Sequence, residues 1–292
     1  MRRIHADLLL LACAAIWGFA FLFQKTAMVH IGPMLFVAAR GFVAALVLAP
    51  LAIVEHRRAG TPVPGSIPVM SGLAGGVFLA GAIVQQTGIQ TASVMNTGFL
   101  TALYVVATPF VAFALMRRPI ATPVWLAVGL SFAGTWLLGG GTLGGLGAGD
   151  WLVALSSVFW ATHVVVLGLA APLGRPVLLS ALQFLVVGTV AFIAALLFEP
   201  VSLAGLRAAA TEIAFVGVLS SALTFTILAV ALRATTPAEA SIIVASETVF
   251  AAFGAWLVLG ERLSPISALG AGLILAAVLT VQLGAARPPA PP

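Results

Sequence analysis

A handful of polar side chains stand inside long apolar runs, and these are the residues able to do chemistry. Glu247 lies ten residues into one run, on a helical face with Ile243 and Phe250. A carboxyl there suits a proton site or a partner for a substrate ammonium. It equally suits a neutral acid hydrogen-bonded to a neighbouring helix. His163 follows Trp160 by three residues, so the two share a helical face. An imidazole can bind a carboxylate or shuttle a proton near neutral pH, or sit neutral against a backbone carbonyl. Trp17, Phe21 and Gln24 form an i, i+4, i+7 stripe with Lys25 alongside, and Thr97, Thr101, Tyr104 and Thr108 form another. Rings interspersed with hydroxyls suit an amphipathic small molecule and can hold a cation over a π face. The plainer alternative is packing, since Thr and Ser bond across transmembrane helices. As a set, Trp17, Phe21, Gln24, Thr97, Thr101, Tyr104, Trp160, His163 and Glu247 point to a substrate-binding cavity.

Catalytic and metal chemistry find less support. There is no HExxH, no paired aspartates and no Ser–His pair at a recognisable spacing, so an intramembrane enzyme is the weaker alternative and no metal or cofactor is expected. A pore would need a ring of like charge or a carbonyl-lined filter, and neither is visible. Lys25, Arg40, Gln85, Gln86 and Asn96 fall toward one end of the first half of the chain, where they suit a vestibule, and Lys25 also suits snorkelling to the headgroups. Glu239 has the spacing of a capping box with Thr236.

The elements that position these residues follow from composition. Hydrophobic residues make up 62% of the chain and charged ones 7%, which excludes an ordinary soluble domain and leaves lipid as the place for the apolar surface. The net charge of +5 comes from bases scattered between apolar runs, so it orients a membrane protein and does not mark a nucleic-acid partner. Cys13 is the single cysteine, and no intramolecular disulfide can form. Ten apolar segments can be drawn, at 7–30, 33–54, 66–88, 92–115, 121–140, 150–171, 177–198, 211–231, 237–259 and 264–284, most of them near the length of a spanning helix. Thr122–Pro123, Thr236–Pro237 and Ser264–Pro265 read as N-caps followed by first-turn prolines. Helices 3 and 4 break near Gln90–Thr91–Ser93. Gly72 with Gly76, Gly129 with Ala133, and Gly270 with Gly272 offer small faces for close helix contact.

The two halves align at an offset of 143 to 144, pairing Asp7 with Asp150, Trp17 with Trp160, Arg40 with Gln183 and Arg118 with Arg262. Each Trp lies about 15 Å along its helix from its Asp, about half of a ~30 Å hydrocarbon core. Five spans is an odd number, so the second copy enters from the opposite side. The expected fold is all-α and integral to the membrane: ten transmembrane helices as two inverted five-helix repeats around a central cavity. The repeats are placed at 1–140 and 150–286, with a Gly-rich linker at 141–149 inside the run Gly139–Gly149 and a disordered tail at 287–292. Asp7–His30 reads as a retained span. Placing both termini in the cytoplasm puts Arg2, Arg3, Arg57, Arg58, Arg117, Arg118, Arg175, Arg233 and Arg287 there, leaving only Arg207 and Arg262 in outer loops.

Two five-helix repeats, Trp17-Gly18 in helix 1 and Leu259-Gly260-Glu261-Arg262-Leu263 before helix 10 resemble the drug/metabolite transporter superfamily, in its ten-helix branch with two EamA-type domains. Among its branches the chain is most similar to bacterial exporters of amino acids, including aromatic ones, and other metabolites. The resemblance implies a central cavity walled by both repeats and open alternately to each side, in the bacterial inner membrane. The function expected is export of small metabolites, amino acids foremost, with export of organic cations or drugs as the alternative. A zwitterion needs a cationic or N–H partner, from His163, Lys25 or Arg40, and an anionic one, from Glu247. The Gly260–Leu263 stretch reads as structural.

Overall fold

Proline opens four of the spanning helices, because its missing N–H is one that the first turn would leave without a partner anyway. Two of these helices, α2 (Pro33–Ala59) and α7 (Pro176–Phe198), have no side-chain cap of their own. Each takes its cap from the other. The Glu199 carboxylate at the end of α7 accepts the amides of Met34 and Leu35 at 2.8 and 2.9 Å. Glu55, near the end of α2, accepts the amides of Val177 and Leu178 at 3.1 and 2.9 Å. An anion at a helix N-terminus satisfies open donors and complements the helix dipole. The two clamps make α2 and α7 an antiparallel pair tied at both ends. Gly32 admits the Glu199 carboxylate, where a Cβ would collide with it, and Gly41 crosses the backbone of Gly188 midway.

The computed structural model describes residues 3–117, 120–138, 141, 146–259 and 264–285. Besides α2 and α7 the spans are α1 (Arg3–Ala27), α3 (Ser66–Ile89), α4 (Val94–Thr101 continuing as Tyr104–Met116), α5 (Thr122–Leu138), α6 (Ala148–Ala170), α8 (Ala210–Ala231), α9 (Pro237–Val244 continuing as Glu247–Leu259) and α10 (Pro265–Ala285). Eight are long and apolar enough to cross a membrane, and α5 and α10 are shorter apolar helices. Side chains such as Leu46, Phe110, Leu126, Leu197 and Leu257 face outward, while Gln24, Arg40, Gln85, Gln86, His163, Gln183 and Glu247 are buried. That distribution fits lipid outside and polar contact inside.

Helix neighbours reveal the repeat. α2 packs on α7, α4 on α9 and α5 on α10; α3 packs on α6 as α8 packs on α1; α3 packs on α7 as α8 packs on α2; α4 packs on α6 as α9 packs on α1. Exchanging each helix for the one five places on leaves this pattern unchanged. The fold is two inverted five-helix repeats, as expected. Their local geometry agrees. α4 tightens at Ala102–Leu103 and α9 at Ala245–Ser246, 143 residues later, where i→i+3 bonds replace the α-helical ladder. Asn96 Nδ2 donates to Asp150 at 3.0 Å near one end of the bundle. At the repeat-related place Arg3 pairs with Glu239 at 3.0 Å and with Asp7 at 3.9 Å.

Several local expectations hold. α3 ends at Ile89 and Ser93 caps α4 through the Asn96 amide. Thr236 and Glu239 form the capping box of α9, and Ser264 accepts the Ser267 amide at the start of α10. Others need correction. Gly147 is the N-cap of α6 and Ala148–Gly149 its first residues, so the helix begins inside the stretch assigned to the linker. The reason is Asp150, whose carboxylate accepts the Gly147 amide at 2.9 Å, and the contact of Gly149 with Gly88, which a Cβ would prevent. Gly72, Gly76, Gly129 and Gly272 meet no neighbour within 4 Å. Their faces do not make helix contacts, whereas Gly270 does, its backbone lying against Gly134, as do Gly18, Gly41, Gly88 and Gly188. Thr122 is the first residue of α5 and not its cap. Arg2, Arg118, Arg262, the Gly260–Leu263 stretch and residues 287–292 lie outside the described residues.

Removing one clamp leaves two N-terminal amides of a helix open. Glu199→Ala is expected to cost about 1–2 kcal/mol of stability, and Glu55→Ala a similar amount, with near-additive loss in the double variant because the clamps share no partner. Thermal unfolding of the purified protein in detergent checks this. Midpoints unchanged from wild type would contradict the clamp.

Candidate functional site

Between the repeats lies a small cavity of about 60 Å³. α1 contributes Trp17, Phe21 and Gln24, α4 contributes Thr101 and Tyr104, α6 contributes Trp160 and His163, and α9 contributes Ser241, Val244 and Glu247. Eight of the nine residues singled out in the sequence therefore line one space. Thr97 does not. It lies one turn before Thr101, buried, and its hydroxyl donates back to the Ser93 carbonyl at 2.7 Å.

The tightened turns explain why Tyr104 and Glu247 are placed as they are. In α9, the hydroxyls of Ser241, Ser246 and Thr248 each donate to the carbonyl three residues back, at 2.7 to 2.9 Å. Such back-bonding competes with the helical ladder and bends the helix. Glu247 follows the distortion in α9 as Tyr104 follows it in α4, at positions related by the repeat. Both line the cavity and face each other, near enough for the Tyr104 hydroxyl to interact with the Glu247 carboxyl, yet neither the hydroxyl nor Glu247 Oε1 makes a close hydrogen bond to a described residue. As a facing pair they are available to a bound molecule.

The aromatic wall is centred on a residue that sequence reasoning passed over. Phe78 of α3 meets Trp160, His163, Phe184 and Phe225 edge-to-face, with centroids 5.0 to 5.5 Å apart. Trp17 lies against the other side of this group, 4.7 Å from Phe225. Its indole N–H donates to the Ser220 carbonyl at 2.9 Å. Ser220 lies within Phe215–Leu223, where α8 winds as a π-helix, a geometry that frequently marks functional sites. The wider turn presents that carbonyl, which also accepts the Thr224 hydroxyl at 2.7 Å. The cluster Ser220, Ser221 and Thr224 in an otherwise apolar run was the available signal; Phe78 had none, being one phenylalanine among many.

The bases sort themselves. His163 Nε2 lies 3.1 Å from Gln183 Oε1, and its other ring nitrogen has no described partner. Lys25 neither snorkels nor lines the cavity: its ammonium donates to the carbonyls of Ile89, Gln90 and Ala92 at 2.8 to 3.0 Å, closing the C-terminus of α3. Gln85 lines the cavity and donates to the Thr101 hydroxyl at 2.8 Å, and Gln86 donates to the Gln24 carbonyl at 2.9 Å. Arg40 also lines the cavity, so it belongs to the site and not to a vestibule. Among the described residues no three His, Cys, Asp or Glu side chains converge as metal ligands do.

Residues 4–140 and 147–283 each match the EamA-like transporter family. A protein of Archaeoglobus fulgidus described as an uncharacterized transporter is 28% identical over 288 residues, spanning 97% of this chain and 87% of that one. A solved crystal structure of a protein shares the fold with a TM-score of 0.77 over 98% of both chains at 17% identity.

Because three carbonyls converge on Lys25, Lys25→Met is expected to lower stability by about 1–3 kcal/mol and to expose the α3–α4 turn to protease. Unfolding midpoints and limited proteolysis read both. A variant as stable and as resistant as wild type would return Lys25 to a snorkelling role.

Proposed function

Since the chain belongs to the EamA-like transporter family and is a multi-pass membrane transporter, we propose that it exports small metabolites, amino acids foremost and aromatic ones among them, by alternating access. What carries the reading is a single cavity that combines an aromatic wall with one open carboxyl and is built by helices of both repeats. Trp17, Phe21, Trp160 and Tyr104 bind the apolar side chain. Gln24, Thr101 and His163 contact its polar groups, and Glu247 takes the ammonium. Thr97 supports Thr101 from behind.

Rocking one repeat against the other around a fixed site exposes that site first to one face and then to the other. The tightened turns in α4 and α9 and the π-helix in α8 are the places where helices adjoining the cavity bend most cheaply. The arginine distribution supports cytoplasmic termini, and the family supports residence in the bacterial inner membrane. A second reading, export of organic cations, draws on the same carboxyl among rings, an arrangement suited to a quaternary ammonium.

Uptake into proteoliposomes, with a panel of labelled amino acids and one quaternary-ammonium compound, separates the two. Saturable amino-acid flux is expected, reduced at least about tenfold by Glu247→Gln, which removes a charge-assisted bond, and reduced also by Trp17→Ala. Flux of the organic cation alone would replace the amino-acid reading with the second one.

A further inference from the structure

Of the three bases considered for a substrate carboxylate, Lys25 is taken by three carbonyls, and His163, bonded through Nε2 to Gln183, has only the single nitrogen Nδ1 left to offer. Arg40 is the third. It sits about two turns into α2, only 3% exposed. No carboxylate among the described residues lies within ion-pair distance of it. An arginine within a membrane span normally pairs with an acid or marks a substrate path.

Its guanidinium is held from behind and left open in front. Nε donates to Ser221 Oγ of α8 at 3.0 Å, and Cζ stands 5.4 Å over the face of Phe78. These two contacts fix the position and orientation of the group. Nη1 reaches Gln24 Oε1 only at 3.4 Å, and Nη2 donates to no described residue. The Nη1–Nη2 edge is the one that grips a carboxylate through two parallel bonds. A lysine presents no such fork.

We propose that Arg40 binds the carboxylate of the transported molecule and so restricts the cavity to zwitterions, rejecting amines that lack a carboxylate. The inference rests on the amino-acid reading above and adds its charge selectivity. Gln24 gives up its long contact to the incoming oxygens, while Ser221 and Phe78 keep the fork in place. The ammonium goes to Glu247 on α9. Arg40 belongs to the first repeat and Glu247 to the second, so a zwitterion is held by both halves and an amine by one. The repeat-related position of Arg40 is Gln183, which is neutral and bonded to His163. The carboxylate pole therefore exists once in the molecule, and the substrate enters in one orientation.

The test compares an aromatic amino acid with its amide, which keeps the ammonium and loses the carboxylate, in proteoliposomes containing wild type, Arg40→Gln or Arg40→Lys. Wild type is expected to favour the amino acid by about 10- to 100-fold in kcat/KM, the range of a charge-assisted pair. Arg40→Gln abolishes that preference by slowing the amino acid far more than the amide, and Arg40→Lys restores it in part. Ser221→Ala, which frees the fork without removing it, raises KM for the amino acid and not for the amide. If Arg40→Gln slows acid and amide by the same factor, Arg40 only ties α2 to α8 and the proposal is overturned. Equal handling of acid and amide by wild type also overturns it, while leaving the amino-acid reading intact. Flux of the quaternary ammonium without any amino-acid flux rejects that reading itself, and this inference with it.

Discussion

Two carboxylates set at opposite ends of one helix pair hold the repeats together. Glu55 and Glu199 each satisfy the first free amides of the other's helix, donors that its own sequence leaves without a side-chain cap. The α2–α7 pair that results runs through both halves of the protein. Its inner face carries Arg40 on one helix and Gln183 with Phe184 on the other. The cavity, the aromatic wall and the partner of His163 are all placed relative to this pair.

Within the hydrocarbon region no water is at hand to satisfy a polar group, so each must find a partner in the protein or open onto a wet space. Most do the former. Lys25 closes a helix end, Gln85 meets Thr101 and Gln86 meets a carbonyl. Others stay open among the described residues: the Tyr104 hydroxyl, Glu247 Oε1, Trp160 Nε1, His163 Nδ1 and the outer edge of Arg40 belong to residues lining the same cavity, while Ser71, Ser131, Ser180 and Gln86 Oε1 are open elsewhere. The clustering at one cavity, more than the presence of any one residue, separates a binding site from a packed interior. It also distributes the unsatisfied groups across both repeats, as a carrier requires if moving one half against the other is to loosen its hold on the substrate.

Much of this was legible in the sequence, for physical reasons. Spans are written in composition, and the Asp-to-Trp spacing shared by the halves set the register that the tightened turns of α4 and α9 later obeyed. The stripe Trp17, Phe21, Gln24 reached the cavity because helical periodicity determines which residues share a face. What it could not determine was which face meets lipid. Gly72 and Gly76 look as suited to helix contact as Gly41 and Gly188, yet only the latter have a backbone against them. Thr97 shares the face of Thr101 but returns its hydroxyl to its own helix. Glu55 and Glu199 read as ordinary charges at span ends, since reciprocal capping joins residues more than a hundred positions apart. The π-helix of α8 left only a run of hydroxyls as a trace, and Phe78 left none.

If the cavity between the repeats is the route of the substrate, its wall becomes accessible from each side of the membrane in turn. In a Cys13→Ser background, Ser241→Cys places the only thiol on the cavity wall. Labelling by a membrane-impermeant thiol reagent is expected from either side of sealed vesicles of opposite orientation, slowed in both by the transported amino acid. Labelling from one side only, at a rate indifferent to any substrate the protein moves, would contradict that route.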